Sequence, residues 1–406
     1  MNIRTITYFA DLALPIPDDR IATAGRFVAE MKQALGDAGY SVQTTRLAGP
    51  PFPTVIEAET KKVVQFAQDL EAACFIHQID YAAIGPARPG DAPAFWEAIP
   101  PAIGATQNIF ASAIIADPVP GLSLPAVRRA AEIIHRCAAL TPDGFGNLRF
   151  AALANVPAGC PFLPAAYHDG GPPLFALGLE SADLAVSAFA EANSLAEGRA
   201  RLIRAVEEHA QKIVKIATKL AGQRGLRFGG LDFSLSPFPQ AERSLATAFE
   251  RLSGSPAGQH GTLAAAAYLA DALDRAEVKR TGFTGLFLPV FEDATLAARA
   301  AEGRLTMSDL LLYSSVCGTG LDTVPLPGDV TPEALAAILV DVGALALRLN
   351  KPLTARLMPI PGKRAGDEVK FDFAFFAPTR VLDPRTSGLG GLLAGDESFH
   401  LAPRSR

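Results

Sequence analysis

Short apolar strands alternate with helices along almost the whole chain, and this alternation limits the fold more than any other feature. Residues 3–9 read as a first strand, rich in β-branched and aromatic side chains. Asp18 or Asp19 can cap a helix that runs to Gly39, and residues 41–46 form the next strand. The unit then recurs. A Pro-rich loop, 49–53, leads to a helix over 55–77, a strand over 81–84, a short helix around Phe95 and a strand over 108–116. Val127, Ala130, Ala131 and Ile134 fall at helical spacing before a strand over 149–155. Later strands are predicted at 174–179, 226–235, 284–288, 321–326, 353–358 and 371–376. Helices at 182–192, 195–221, 242–252, 262–276, 294–301 and 307–316 fill the gaps, with a last one capped by Thr331 ahead of Pro332.

Several of these strands are apolar without alternation, as strands covered on both faces are. A mostly parallel sheet flanked by helices is therefore expected, and about ten βα units favour an α/β barrel over a flat sheet. The 406 residues suit one such unit, with no dividing linker and with 379–406 as a mobile C-terminal tail. With 49% hydrophobic and 19% charged residues the chain can bury a large core. A net charge of −5 without a dense Lys/Arg run argues against nucleic-acid or membrane-surface partners. Asp341 and Arg348 interrupt the most apolar stretch, 335–349, which is too short to span a bilayer. The first residues lack the apolar core of a signal peptide, so the protein is expected to begin at Met1. Cys74, Cys137, Cys160 and Cys317 have neither metal nor disulfide spacing, which suits a reducing cytoplasm.

In parallel α/β folds the site lies past the carboxyl ends of the strands. That rule selects four stretches. Loop 155–171 is stiffened by prolines and carries Asn155, Tyr167, His168 and Asp169; the His168–Asp169 pair offers an acid or base near neutral pH, or simply a surface turn. In 229–239 the strand period puts Asp232, Ser234 and Ser236 on one face, a costly stripe in a buried strand unless it lines a wet cavity. Glu180 opens 180–183, where an acidic helix start is the commoner reason for such residues. Finally, 313–328 places Cys317 between an apolar run and Gly318-Thr319-Gly320. The two glycines free backbone amides that can depress a thiol pKa or hold an oxyanion, although a lone cysteine is more often a small buried apolar group. No P-loop, dinucleotide fingerprint, nucleophile elbow or zinc motif occurs. No cofactor is expected, while a carboxylate-held magnesium stays open.

The opening Ile3-Arg4-Thr5-Ile6-Thr7, the loop from Pro161 to His168, the strand Leu231-Asp232-Phe233-Ser234 and the run from Tyr313 to Asp322 resemble the domain of unknown function 711 family of prokaryotic proteins. The Cys-Gly-x-Gly-Leu-Asp signature at 317–322 is the most specific part. That resemblance implies a barrel similar to pyruvate formate-lyase, with about ten strands and a central loop presenting Cys317. Glycyl-radical enzymes carry a glycine where this chain has Asp383, and formate-lyases carry two adjacent cysteines where this chain has Val316 and Cys317, so stored-radical chemistry is not expected. The reading that follows is a small-molecule enzyme, a cysteine-dependent lyase, transferase or hydrolase, with Cys317, Asp232 and His168 catalytic. Asn155, Tyr167, Asp169, Glu180, Ser234, Gly318 and Gly320 would bind the ligand. The alternative is a non-catalytic sensor of a metabolite or of thiol oxidation. Homo-oligomers are compatible with either.

Overall fold

The structure is a computed structural model, described over residues 1–316 and 319–403. The strands are β1 (Asn2–Phe9), β2 (Val42–Ala48), β3 (Tyr81–Ala87), β4 (Ile109–Asp117), β5 (Gly121–Ser123), β6 (Phe150–Ala154), β7 (Leu174–Glu180), β8 (Arg227–Asp232), β9 (Gly320–Pro327), β10 (Leu353–Ile360), β11 (Glu368–Val369), β12 (Thr379–Arg380) and β13 (Ser398–Phe399). Among the described residues, 11 of them share one sheet, whose main path runs β8-β7-β1-β2-β3-β4-β6-β10-β9. The fold is therefore mixed α/β around a large, mostly parallel sheet. β1, β2, β3, β4 and β6 run together, while the β7–β8 and β9–β10 pairs run the opposite way. The paired strands form a path with two ends, β8 and β9, and among the described residues no continuous ladder closes the expected barrel. Single parallel bridges, Leu231 to Arg280, Leu235 to Leu286 and Pro289 to Asp322, flank that gap.

The helices form where the sequence places its caps. α1 (Asp18–Asp37) starts with two acids in its first turn, but Pro17 holds the cap position that Asp18 or Asp19 was expected to fill. The last long helix (Pro332–Leu349) is capped as expected, with the Thr331 hydroxyl accepting from the Ala334 amide. Helical side chains pack on one face of the sheet in one large apolar cluster. The strand period sends alternate residues to the other face: in β6, Phe150, Ala152 and Ala154 join the helix-side core, while Ala151 and Leu153 meet Val156, Cys160, Phe162, Phe283 and Phe287 on the inner side. Phe162 and Ala165 of the Pro-rich loop, with Phe283 and Phe287, thus pack on the inner face.

Two expected strands differ, and at 284–288 only a single bridge, from Leu286 to Leu235, forms among the described residues. Residues 371–376 form a turn closed by the Phe376 amide on the Phe373 carbonyl, because Phe371 and Phe376 pack with Phe291 and Met358 instead of entering a ladder. The C-terminal segment makes contacts with the body among the described residues. β12 pairs with β11, β13 pairs with β5, and Arg348 donates to the Ala402 carbonyl at 2.6 Å. No helix among the described residues is long and apolar enough to cross a membrane.

Candidate functional site

Four strands of this buried sheet each carry one charged side chain: Arg4 in β1, Arg46 in β2, Asp322 in β9 and Arg356 in β10. A strand covered on both faces has no solvent side for such a group, so each must find a partner or a cavity. They converge. Arg356 Nε donates to Asp322 Oδ1 at 2.6 Å and its Nη2 meets Glu292 Oε1 at 3.1 Å. Glu292 also pairs with Arg4, whose Nη1 lies 3.3 Å from Glu180 Oε2, and Glu180 pairs in turn with Arg243. Acid and base alternate along the chain Asp322–Arg356–Glu292–Arg4–Glu180–Arg243.

Two irregularities in the ladder aim these groups. Ile3 pairs with Leu179 and Thr5 with Gly178, which leaves Arg4 as the extra residue of a bulge. Ala355 pairs with Leu321 and Leu357 with Val324, so Asp322 and Thr323 together oppose Arg356. Thr323 has φ +40, an unusual conformation for a β-branched residue. Bulges re-aim side chains beside functional sites, and backbone strain gathers there.

The cluster lines a cavity of about 90 Å³ bounded by Arg4, Arg46, Tyr81, Glu292, Asp322 and Arg356, with Phe110, Phe162, Phe287, Phe373 and Phe375 as an aromatic wall. That is room for several waters at roughly 10–15 Å³ each. Asp322 is 5% exposed, and burial raises its pKa against the pull of Arg356. Its second oxygen, Oδ2, receives no hydrogen bond among the described residues. Arg46 is 8% exposed, and burial first, then Arg4, lowers its guanidinium to about 9. Its Nε donates to Thr44 Oγ1 at 3.0 Å, and no carboxylate pairs with it among the described residues.

The profile of a family described as "Uncharacterised ACR (DUF711)" matches residues 1–374. The chain belongs to the DUF711 family. It is similar to a UPF0210 protein of Pyrobaculum arsenaticum, with 34% identity over 345 residues, 81% of this chain and 76% of that one. A UPF0210 protein of Methanopyrus kandleri is 32% identical over 378 residues, covering 88% and 83%. One of Pelotomaculum thermopropionicum is 30% identical over 418 residues, covering 96% and 92%.

In this DUF711 chain the residues singled out from sequence do not gather in one place. Cys317 and Gly318 lie outside the described residues. Asp232 is fully buried away from the cavity; its oxygens accept from the Phe283 and Thr284 amides at 2.7 and 2.9 Å and from Ser234 Oγ at 2.5 Å. Ser234 Oγ also accepts from the Gly285 amide at 3.0 Å. Asp232 and Ser234, two members of the stripe expected to line a wet cavity, instead hold loop 281–285 against the sheet, because three backbone amides supply the donors that water would have supplied; Ser236, the third, borders the charged cavity. His168 Nδ1 lies 3.0 Å from Asp11 Oδ1, so its acidic partner is Asp11, and the neighbouring Asp169 is exposed. The other ring nitrogen of His168 is buried without a hydrogen-bond partner among the described residues. Tyr167 donates to the Val156 carbonyl at 3.0 Å, and Asn155 sits at φ +55 beside Asn350. Gly320 has φ +88 where a side chain would strike Thr354, so it serves the β9–β10 approach. Glu180 alone of the set belongs to the charged network. No group of three or more His, Cys, Asp or Glu among the described residues is placed to hold a metal.

The remaining thiols are poor nucleophiles. Burial raises Cys74 and Cys137 to about 12 and Cys160 well above its usual value. In the folded protein all three should resist iodoacetamide at neutral pH, as read by peptide mass spectrometry; labelling of any of them at the rate of an exposed thiol contradicts their burial. Fast labelling confined to Cys317 is what a nucleophilic role for that residue requires.

Proposed function

We propose that this protein is a small-molecule enzyme whose substrate occupies the cavity between Arg46 and Asp322. The observation that carries this is the convergence of Arg4, Arg46, Glu292, Asp322 and Arg356, from distant parts of the chain, on one aromatic-walled cavity. Perturbed charged groups facing a shared cavity are a mark of functional sites. Asp322 is the group for proton transfer: Arg356 fixes one oxygen, the other receives no hydrogen bond among the described residues, and burial raises its pKa. The two opposed sets of strands, with single bridges from 280–289 to both β8 and β9, support a sheet that closes through that segment into the barrel implied by the resemblance to pyruvate formate-lyase. Cys317 stands five residues before Asp322 in sequence, and its role as a partner nucleophile rests on the sequence signature.

The test is an incubation of the purified protein with a deproteinised small-molecule extract from its source cells, followed by mass spectrometry of what is consumed and formed. The wild type should convert at least one anionic metabolite and Asp322→Asn should not. Retention of a compound without conversion favours the sensor reading. Equal conversion by the variant removes Asp322 from the chemistry.

A further inference from the structure

Among the charged groups lining the cavity, three cations face two anions: Arg4, Arg46 and Arg356 against Glu292 and Asp322. Arg4 and Arg356 are each claimed by two carboxylates. Arg46 is not. It is buried, spends only its Nε on Thr44, and directs no other hydrogen bond to the protein among the described residues. A buried cation without a counter-ion is costly, and a folded protein retains one where a ligand supplies the missing charge.

The surroundings say what kind of ligand. A guanidinium offers paired donors that match the oxygens of a carboxylate or phosphate, and it stays charged at neutral pH. Tyr81, paired with Arg46 across β2 and β3, and Ser236 also border the space. Gln43 and Thr44 add polar atoms beside Arg46, while Phe110, Phe162, Phe287, Phe373 and Phe375 make an apolar wall. Resting on the reading that this cavity is the functional site, we propose that its ligand is a small organic oxyanion, with the anionic group on the Arg46 guanidinium and an apolar body against the phenylalanines. Arg46 would then be a substrate-binding residue that lies outside the 317–322 signature.

Benzoate, inorganic phosphate and the neutral isostere benzamide serve as probes, read by thermal melting and titration calorimetry on the full chain. Wild-type protein should be stabilised saturably by benzoate or by phosphate and not by benzamide. Benzoate alone assigns a carboxylate ligand, and phosphate alone a phosphorylated one. Arg46→Gln should weaken the responding anion at least tenfold. Without ligand it should melt at the wild-type temperature or above, because the uncompensated charge is gone. Arg46→Lys keeps the charge without the fork and should fall between the two. Equal responses to benzoate and benzamide overturn the oxyanion assignment while leaving the cavity as the site. Silence toward both anions, or unchanged binding in Arg46→Gln, overturns it as well, whatever the extract experiment on Asp322→Asn returns.

Discussion

Replacing Glu292 with glutamine should destabilise the protein by about 3–5 kcal/mol, the usual cost of removing one partner from a buried ion-pair network. Glu292 is 5% exposed and bridges Arg4 and Arg356, so its neutralisation leaves both guanidiniums, and Arg46 beside them, with too little negative charge. The shape of the side chain is kept and packing is not at issue. Urea denaturation of wild type and Glu292→Gln reads the difference directly, and a loss under about 1 kcal/mol would mean the cluster is well hydrated and behaves as surface pairs do. Adding Arg356→Met to the variant should recover part of the loss, since the second substitution removes one of the cations left uncompensated.

Asp232→Asn should cost about 1–3 kcal/mol, the usual cost of a buried donor left unmatched. Asparagine offers one acceptor oxygen where the carboxylate offers two, so either the Phe283 or the Thr284 amide must face an NH2 group. Loop 281–285 would loosen, and with it Phe283 and Phe287, which pack the inner face. The pH dependence has a definite sign. Burial raises Asp232 from 3.8 to about 6, against hydrogen bonds from Ser234, Phe283 and Thr284. The folded protein therefore holds a proton at Asp232 more tightly than the unfolded chain does. This stabilisation is full below about 4, falls as pH rises through about 6, and is flat above. The cost of Asp232→Asn should accordingly be larger at pH 4.5 than at pH 7; a flat cost would place the Asp232 carboxylate in a solvated setting, and one that grows with pH in a cation-paired setting.

Much of the fold was legible because strand and helix formation depend on local pattern. The predicted strands at 3–9, 174–179 and 353–358 correspond to β1, β7 and β10, and the Thr331 cap with Pro332 is present as read. The strand predicted at 371–376 failed because its phenylalanines find aromatic partners in Phe145 and Phe291 from distant parts of the chain. The rule that sites lie past strand ends selected Asp232 and His168, and neither borders the charged cavity. Both are polar groups buried to hold loops, with Phe283, Thr284 and Asp11 as their partners. Part of the signal was present: Asp322 and Arg356 are the single charged residues of two strands that are otherwise mostly apolar.

By itself the sequence determined the kind of elements, their order, the predominance of parallel pairing and, through its 317–322 signature, the family. Only the tertiary structure decided which charges meet. Arg4, Arg46, Glu292, Asp322 and Arg356 are separated by up to 352 positions in the chain, and no local rule relates them. Their pairing depends on strand order and on bulges at Arg4 and at Asp322–Thr323 that set the direction of each side chain. Electrostatic partnership falls off over a few ångströms, and distance in space is fixed by the assembled sheet.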